Sequence, residues 1–231
     1  MSAGTTISEN KAYGGGGVFN GNGTFTMSGG TISRNELVGP ASNLSGGGVF
    51  SQGGTFTMSG GEITSNSSES CGGGVCYSSS RLFKMSGTVN ITENKVGTTP
   101  NNLYLWNGQQ VSASGLTSGA KIGVTTQIAP TNDSSVPITS DSVSANCFSS
   151  DNSDYETAID ENSKVVLKKK AAATYTIQAT VSGGNGTISP SGSVSVNEGD
   201  NEEFTITPSE GYVIASLKVD GTEVENPSNT Y

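Results

Sequence analysis

Gly46-Gly47-Gly48-Val49-Phe50, then Thr55-Phe56-Thr57-Met58-Ser59-Gly60, then Ile63-Thr64-Ser65-Asn66: these three segments decide the fold. The same order occurs upstream as Gly15-Gly16-Gly17-Val18-Phe19, Thr24-Phe25-Thr26-Met27-Ser28-Gly29 and Ile32-Ser33-Arg34-Asn35. Downstream it occurs as Gly72-Gly73-Gly74-Val75-Cys76, Leu82-Phe83-Lys84-Met85-Ser86-Gly87 and Ile91-Thr92-Glu93-Asn94. The order is constant while the spacers change, 31 residues separating Ile32 from Ile63 and 28 separating Ile63 from Ile91. Within each segment apolar and polar residues alternate, which is the period of a strand, and Gly-Gly-Gly with abundant Thr and Ser opposes a helix.

Three short strands per unit, repeated at this interval, predict one coil of a parallel β-helix, because a single coil cannot bury its inward residues alone. Stacking then piles Phe25, Phe56 and Phe83 into one column, Met27, Met58 and Met85 into a second, and Ile32, Ile63 and Ile91 into a third. Asn35, Asn66 and Asn94 fall at coil corners, where stacked amides can hydrogen-bond along the column. The spacers Glu36–Ser45 and Ser67–Ser70 are expected to bulge out of the stack. Met1-Ser2-Ala3-Gly4-Thr5-Thr6-Ile7-Ser8-Glu9-Asn10 reads as the Met-to-Asn part of one more coil with one inserted residue. From this the sequence is expected to begin inside a solenoid.

Composition suits this reading. Of 231 residues, 33 are glycine and only 13% are charged, about half the fraction usual in a globular enzyme. The net charge of −9 lies mostly beyond residue 128. Without a basic stripe, nucleic acid is not an expected partner. No stretch reaches the roughly 18 apolar residues of a membrane span. Cys71 and Cys76 flank Gly72-Gly73-Gly74-Val75, and an extended segment of that length would hold them too far apart to bridge. Cys76, where other coils have Phe19 and Phe50, is then expected to be a buried small hydrophobe.

The alternating Gly-Gly-Gly-Val and Ile-x-x-Asn boxes resemble the repeats of chlamydial polymorphic outer-membrane proteins. They are still more similar to adhesin-like right-handed β-helix proteins of the pectin-lyase-like superfamily. The resemblance covers residues 1–95 and implies an all-β fold, a right-handed parallel β-helix over 1–169. Repeating coils would occupy 1–96. A distal cap would occupy 97–169, including Asn102–Leu105, Gly115–Val124, Phe148–Asp151 and Lys164–Leu167. Beyond Lys168-Lys169-Lys170, residues 170–231 form a second all-β module. Its strands are expected at Tyr175–Val181, Ser193–Val196 and Glu203–Thr207, with a type I′ hairpin around Asp220-Gly221. Gly186-Thr187-Ile188-Ser189-Pro190 and Pro208-Ser209-Glu210-Gly211-Tyr212 resemble the divergent internalin B-repeat family, whose members end with a further strand that Tyr231 only begins.

The superfamily contains polysaccharide lyases and hydrolases, whose sites need clustered Asp. Residues 1–128 contain no Asp and the chain has no His. Glu9 and Glu93 share one repeat position and read as surface decoration. Asp151, Asp154, Glu156, Asp160 and Glu161 form the best calcium candidate, but their spacing departs from an EF-hand loop and reads as a solvated cap loop. Tyr104 and Trp106 could stack on a sugar, although covering the last coil is the more ordinary role. The expectation is therefore a non-catalytic bacterial surface or secreted segment, adhesin-like or stalk-like, with no catalytic, cofactor-binding or metal-ligating residues. Its variable loops, Glu36–Ser45 and Thr98–Asn102, would meet host or microbial surface glycans or proteins, and the chain would be monomeric. The alternative is a polysaccharide-binding or polysaccharide-degrading β-helix whose active coils lie elsewhere.

Overall fold

A computed structural model describes residues 1–38, 45–143, 145–225 and 227–228. It divides into two compact units, Met1–Lys170 and Ala171–Tyr231. The first is a parallel β-solenoid of about 5 turns.

Each of the three repeated segments forms its own ladder between coils. Val18, Val49, Val75 and Leu103 pair in register in the first. Phe25, Phe56, Phe83 and Val111 do so in the second. Ile7, Ile32, Ile63, Ile91 and Ile122 form the third. Alternation sends Met27, Phe56, Met58, Ile63, Phe83 and Ile91 into a single core, all fully buried. The column rings stack, with centroids 5.1 Å apart for Phe25–Phe56 and 4.2 Å for Phe56–Phe83. Removing one such side chain from water stabilises the coil by about 1.5–3 kcal/mol, so a column of them offsets the entropy of ordering glycine-rich corners. The first member of a column has a neighbour on one side only, and Ile7 and Phe25 are accordingly only partly buried.

The spacers differ from expectation at their ends. Glu36–Leu37 and Ser67–Ser68 do not bulge; with Lys11–Ala12 and Lys95–Val96 they form a fourth parallel ladder along the corner. Leu37 and Ser68 are buried there. The cause is local: Glu9, Arg34, Ser65 and Glu93, the residue before each corner Asn, adopt a left-handed φ of 53–61° that returns the chain to the stack. Residues 39–44 lie outside the described residues. Thr98–Asn102 is likewise tied in, Thr99–Pro100 pairing antiparallel with Lys95–Val96.

The parallel register continues past residue 96 without a Gly-Gly-Gly box. The strand Lys121–Thr126 pairs with Ile91 through Ile122 and with Leu103 through Val124, merging two faces into one sheet. Parallel pairing goes one step further, Val136–Ser142 joining Val111 through Thr139 and Phe148–Ser150 joining Ile122 through Phe148. Lys164–Lys169 then pairs antiparallel with both Val136–Ser142 and Tyr155–Ile159, and Val136, Ile138, Val165 and Leu167 cover the core.

Tyr77 is an exception inside the core. It is fully buried, and its ring packs on Phe83 with centroids 5.8 Å apart. It fits because Ser51, its cross-strand neighbour, is small. Burial pushes the phenol up to about 12. The Phe83 backbone and Ser79 moderate that shift without closing a well-aligned hydrogen bond to the hydroxyl. Tyr77→Phe is therefore expected to leave stability unchanged or raise it by about 0.5–1 kcal/mol in urea unfolding. A loss greater than that would show that the hydroxyl is satisfied.

The second unit consists of three two-stranded antiparallel ladders. Thr174–Ala179 pairs with Gly192–Asn197, Gly186–Ser189 with Thr205–Pro208, and Lys218–Val219 with Thr222–Glu223. Asp220 and Gly221 both have positive φ, 49° and 79°, as a type I′ turn requires. Among its described apolar residues only Ala179 and Phe204 are buried.

Candidate functional site

The solenoid's corner sets the geometry of everything outside it. Asn10, Asn35, Asn66 and Asn94 each donate the backbone N–H and the side-chain amide to the Oδ1 of the next corner Asn, Asn94 passing both to Asn102. The donor–acceptor distances between Asn66 and Asn94 are 2.9 Å for both bonds. The glycine boxes abut this ladder. A Cβ on Gly17, Gly48 or Gly74 would strike both a backbone carbonyl of the neighbouring coil and the amide of Asn35, Asn66 or Asn94, so the last glycine of each box is held to glycine by the coil spacing and by the corner asparagine together.

Fixing the strand after each glycine box fixes which side chains point out. Val49, Val75 and Leu103, with Tyr77 and Leu105, face the core, so Phe50, Cys76 and Tyr104 face outward, as do Ser78 and Trp106 beyond them. Phe50, Cys71 and Cys76 form a second, outer apolar cluster, with Tyr104 packed against it. Phe19 joins at 5.5 Å from Phe50, yet is 57% exposed. Tyr104 and Trp106 lie with centroids 6.4 Å apart and planes tilted by 39°, both partly exposed. Burial pushes the Tyr104 phenol up.

Cys71 and Cys76 are joined by a disulfide, with a Cα–Cα distance of 5.8 Å. This corrects the expectation that they stand too far apart. The segment is not extended: Gly72 takes φ 55° and folds the chain back, which the glycine box permits. Cys76 is buried as expected, in register with Phe50, but as half of a covalent clasp. For so short a loop the bond is worth about 2 kcal/mol, so C71A/C76A should lower unfolding stability by about that amount. Reduction of the wild type should give the same urea shift, and no shift in either would remove the clasp from the fold's support.

The acids are dispersed. Asp151 ends the asparagine ladder, accepting Asn102 N–H at 2.7 Å, the Asn102 amide and the Thr125 hydroxyl at 2.9 Å. Burial pushes its carboxyl up, against those three bonds. Glu156 pairs with Lys168, and Asp160 caps a turn by accepting the Asn162 and Lys164 N–H groups. The acidic stretch 151–161 is thus divided among separate structural tasks. Among the described residues, no three His, Cys, Asp or Glu side chains converge as a metal site. Glu9 meets Arg34 at 2.9 Å on the surface, and Glu93 accepts the Thr64 hydroxyl.

Asp141 was not singled out by the sequence. It accepts bonds from Ser112 Oγ and from the N–H groups of Ala113 and Ser114. Burial pushes its carboxyl up, but these bonds outweigh it and hold it below the usual range. A depressed acid stabilises the fold above its unfolded pKa, and that contribution is lost as pH falls through its folded pKa. Asp141→Asn should therefore be destabilised at neutral pH and lose less stability than wild type on acidification, read by urea midpoints at stepped pH. Parallel pH profiles would contradict the assignment.

No helix is long and apolar enough to cross a membrane among the described residues. No protein-family model matches the chain, and neither a curated protein nor a solved structure is significantly similar to it.

Proposed function

We propose that this chain is a non-catalytic segment of a bacterial surface or secreted protein, adhesin-like, holding its outer faces rigidly for contact with other surfaces. The observation that carries the reading is the division of labour between inside and outside. Apolar columns and the asparagine ladder fill the interior, and the outward positions of the glycine-box face carry aromatic, hydroxyl and amide groups. Asp151, Asp160 and Glu156 serve as ladder end, turn cap and ion-pair partner, not as a facing acid–base pair. The Cys71–Cys76 disulfide supports an extracellular location, since such bonds persist in oxidising compartments. Kinship with the pectin-lyase-like superfamily and with internalin B-repeats belongs to the same proposal, on the motifs quoted above.

Beads coated with the full chain test it. Adhesion to epithelial or bacterial cells, with no reducing ends released from soluble polysaccharides, is the expected result. Polysaccharide cleavage would overturn the non-catalytic reading, and absence of adhesion would reduce the chain to a passive spacer.

A further inference from the structure

The strands that carry Tyr104 and Trp106 are paired on both sides, so their backbone offers no edge to a peptide, and what remains for a partner is the side-chain surface. Tyr104 is flanked in register by Cys76 and Thr125. Trp106 sits between Ser78 and Gln127, because its N–H bonds Tyr77 O while the Gln127 N–H bonds Leu105 O. One coil further, Gln52 holds the equivalent place, its N–H bonding Asn20 O while the Ser78 N–H bonds Ser51 O. These two outward columns contain rings, hydroxyls and primary amides and no basic side chain; their one carboxylate, Asp151, lies beyond Thr125 and is engaged by the Thr125 hydroxyl and by Asn102.

The platform is also held in place before any ligand arrives. Just past Trp106 the chain turns through Asn107 and Gly108, at φ 49° and 72°. The Gln127 side chain accepts the Asn107 N–H at 2.8 Å and pins that turn to the neighbouring coil. Ser78, in register with Trp106 on the other side, keeps its Oγ buried and so adds no group to the exposed rim. Two rings tilted at 39° and 6.4 Å apart, rimmed by neutral donors and acceptors, match one ligand chemistry well. The C–H face of a pyranose packs on an aromatic ring, and its hydroxyls bond to amides and hydroxyls at the rim. Phosphate, sulfate or carboxylate ligands would find no cation in these columns. Preformed rings lose little conformational freedom on binding, which favours weak but specific recognition.

We infer that the Tyr104–Trp106 face, rimmed by Thr125 and Gln127, is a docking site for neutral glycans. This rests on the adhesin-like reading and names the ligand class for it.

The test uses the full chain on an array of neutral plant, microbial and host glycans, with sialylated and sulfated glycans alongside. Trp106 is the only tryptophan in the chain, so its emission reports the site directly. Binding to neutral glycans with a saturable change in that emission is expected. Trp106→Ala and Tyr104→Ala should each weaken binding about tenfold or more, while Trp106→Phe keeps part of it. Tyr212→Ala, in the other unit, should leave it unchanged. Should Trp106→Ala fail to fold, Tyr104→Ala and the wild-type emission titration decide. Binding confined to charged glycans, binding that survives both alanine variants, or no binding to any glycan would overturn the inference. Coated beads that adhere to cells while the array stays blank would leave the adhesin reading standing and remove the glycan. Failure of both would remove both.

Discussion

Asn66→Ala is expected to destabilise the solenoid by about 3–5 kcal/mol, a larger effect than any surface change in the chain. Asn66 is fully buried and joins three coils. Its Oδ1 receives both the backbone N–H and the amide of Asn35, and its own amide reaches Ile32 O and Asn94 Oδ1. Alanine leaves the Asn35 backbone N–H and one of its amide hydrogens without an acceptor where water cannot enter, the other amide hydrogen keeping Ile7 O. Asn10→Ala is the comparison, because Asn10 makes the same two bonds to the next corner but is exposed. It should cost about 1 kcal/mol or less. Urea unfolding of both variants, followed by far-UV circular dichroism, checks the difference. Equal losses would show that the ladder's buried middle carries no special weight.

Gly47→Ala is expected to cost about 3 kcal/mol or more, although it adds one methyl group. That methyl would be driven into the carbonyl oxygens of Ser67 and Gly73, both backbone atoms of the next coil. Neither can move aside, since Ser67 is held in the corner ladder and Gly73 O accepts the Gly48 N–H. Gly14→Ala meets no atom within 4 Å and should change stability by less than about 0.5 kcal/mol. Comparing the two by thermal unfolding separates steric exclusion from any general penalty on replacing glycine. If Gly47→Ala unfolds like wild type, the coils are further apart than the ladders require.

The columns were legible in the sequence because period-two alternation and a fixed segment order leave one way to bury Phe56, Met58 and Ile63 together. The asparagine ladder was legible for the same reason, up to Asn94. Its continuation to Asn102 and Asp151 was not, because no Ile-x-x-Asn box marks them and the contact joins residues 49 apart in the chain. Gly123, which would collide with Asn102 and Asp151 if it carried a Cβ, is the remnant of the glycine box that could have shown it. The Cys71–Cys76 bond was missed by assuming an extended chain, where a left-handed Gly72 curls it. The corner strands were missed because two-residue ladders such as Glu36–Leu37 carry no periodicity. The aromatic pair at 104 and 106 was visible, but its amide and hydroxyl rim was not, since Thr125 and Gln127 come from another coil.

The corner amides all hand their protons the same way, from low residue numbers toward high, so the row has a polarity that a symmetric stack would lack. Such a row can be lengthened at any rung except its last, which must take hydrogens and return none to a further rung. An ionised aspartate is suited to that end because it has no N–H to place. Asp151 is thus a terminator written in a single atom, the oxygen that stands where asparagine has nitrogen. A designer wishing to add turns to this scaffold would insert them ahead of that carboxylate, never behind it.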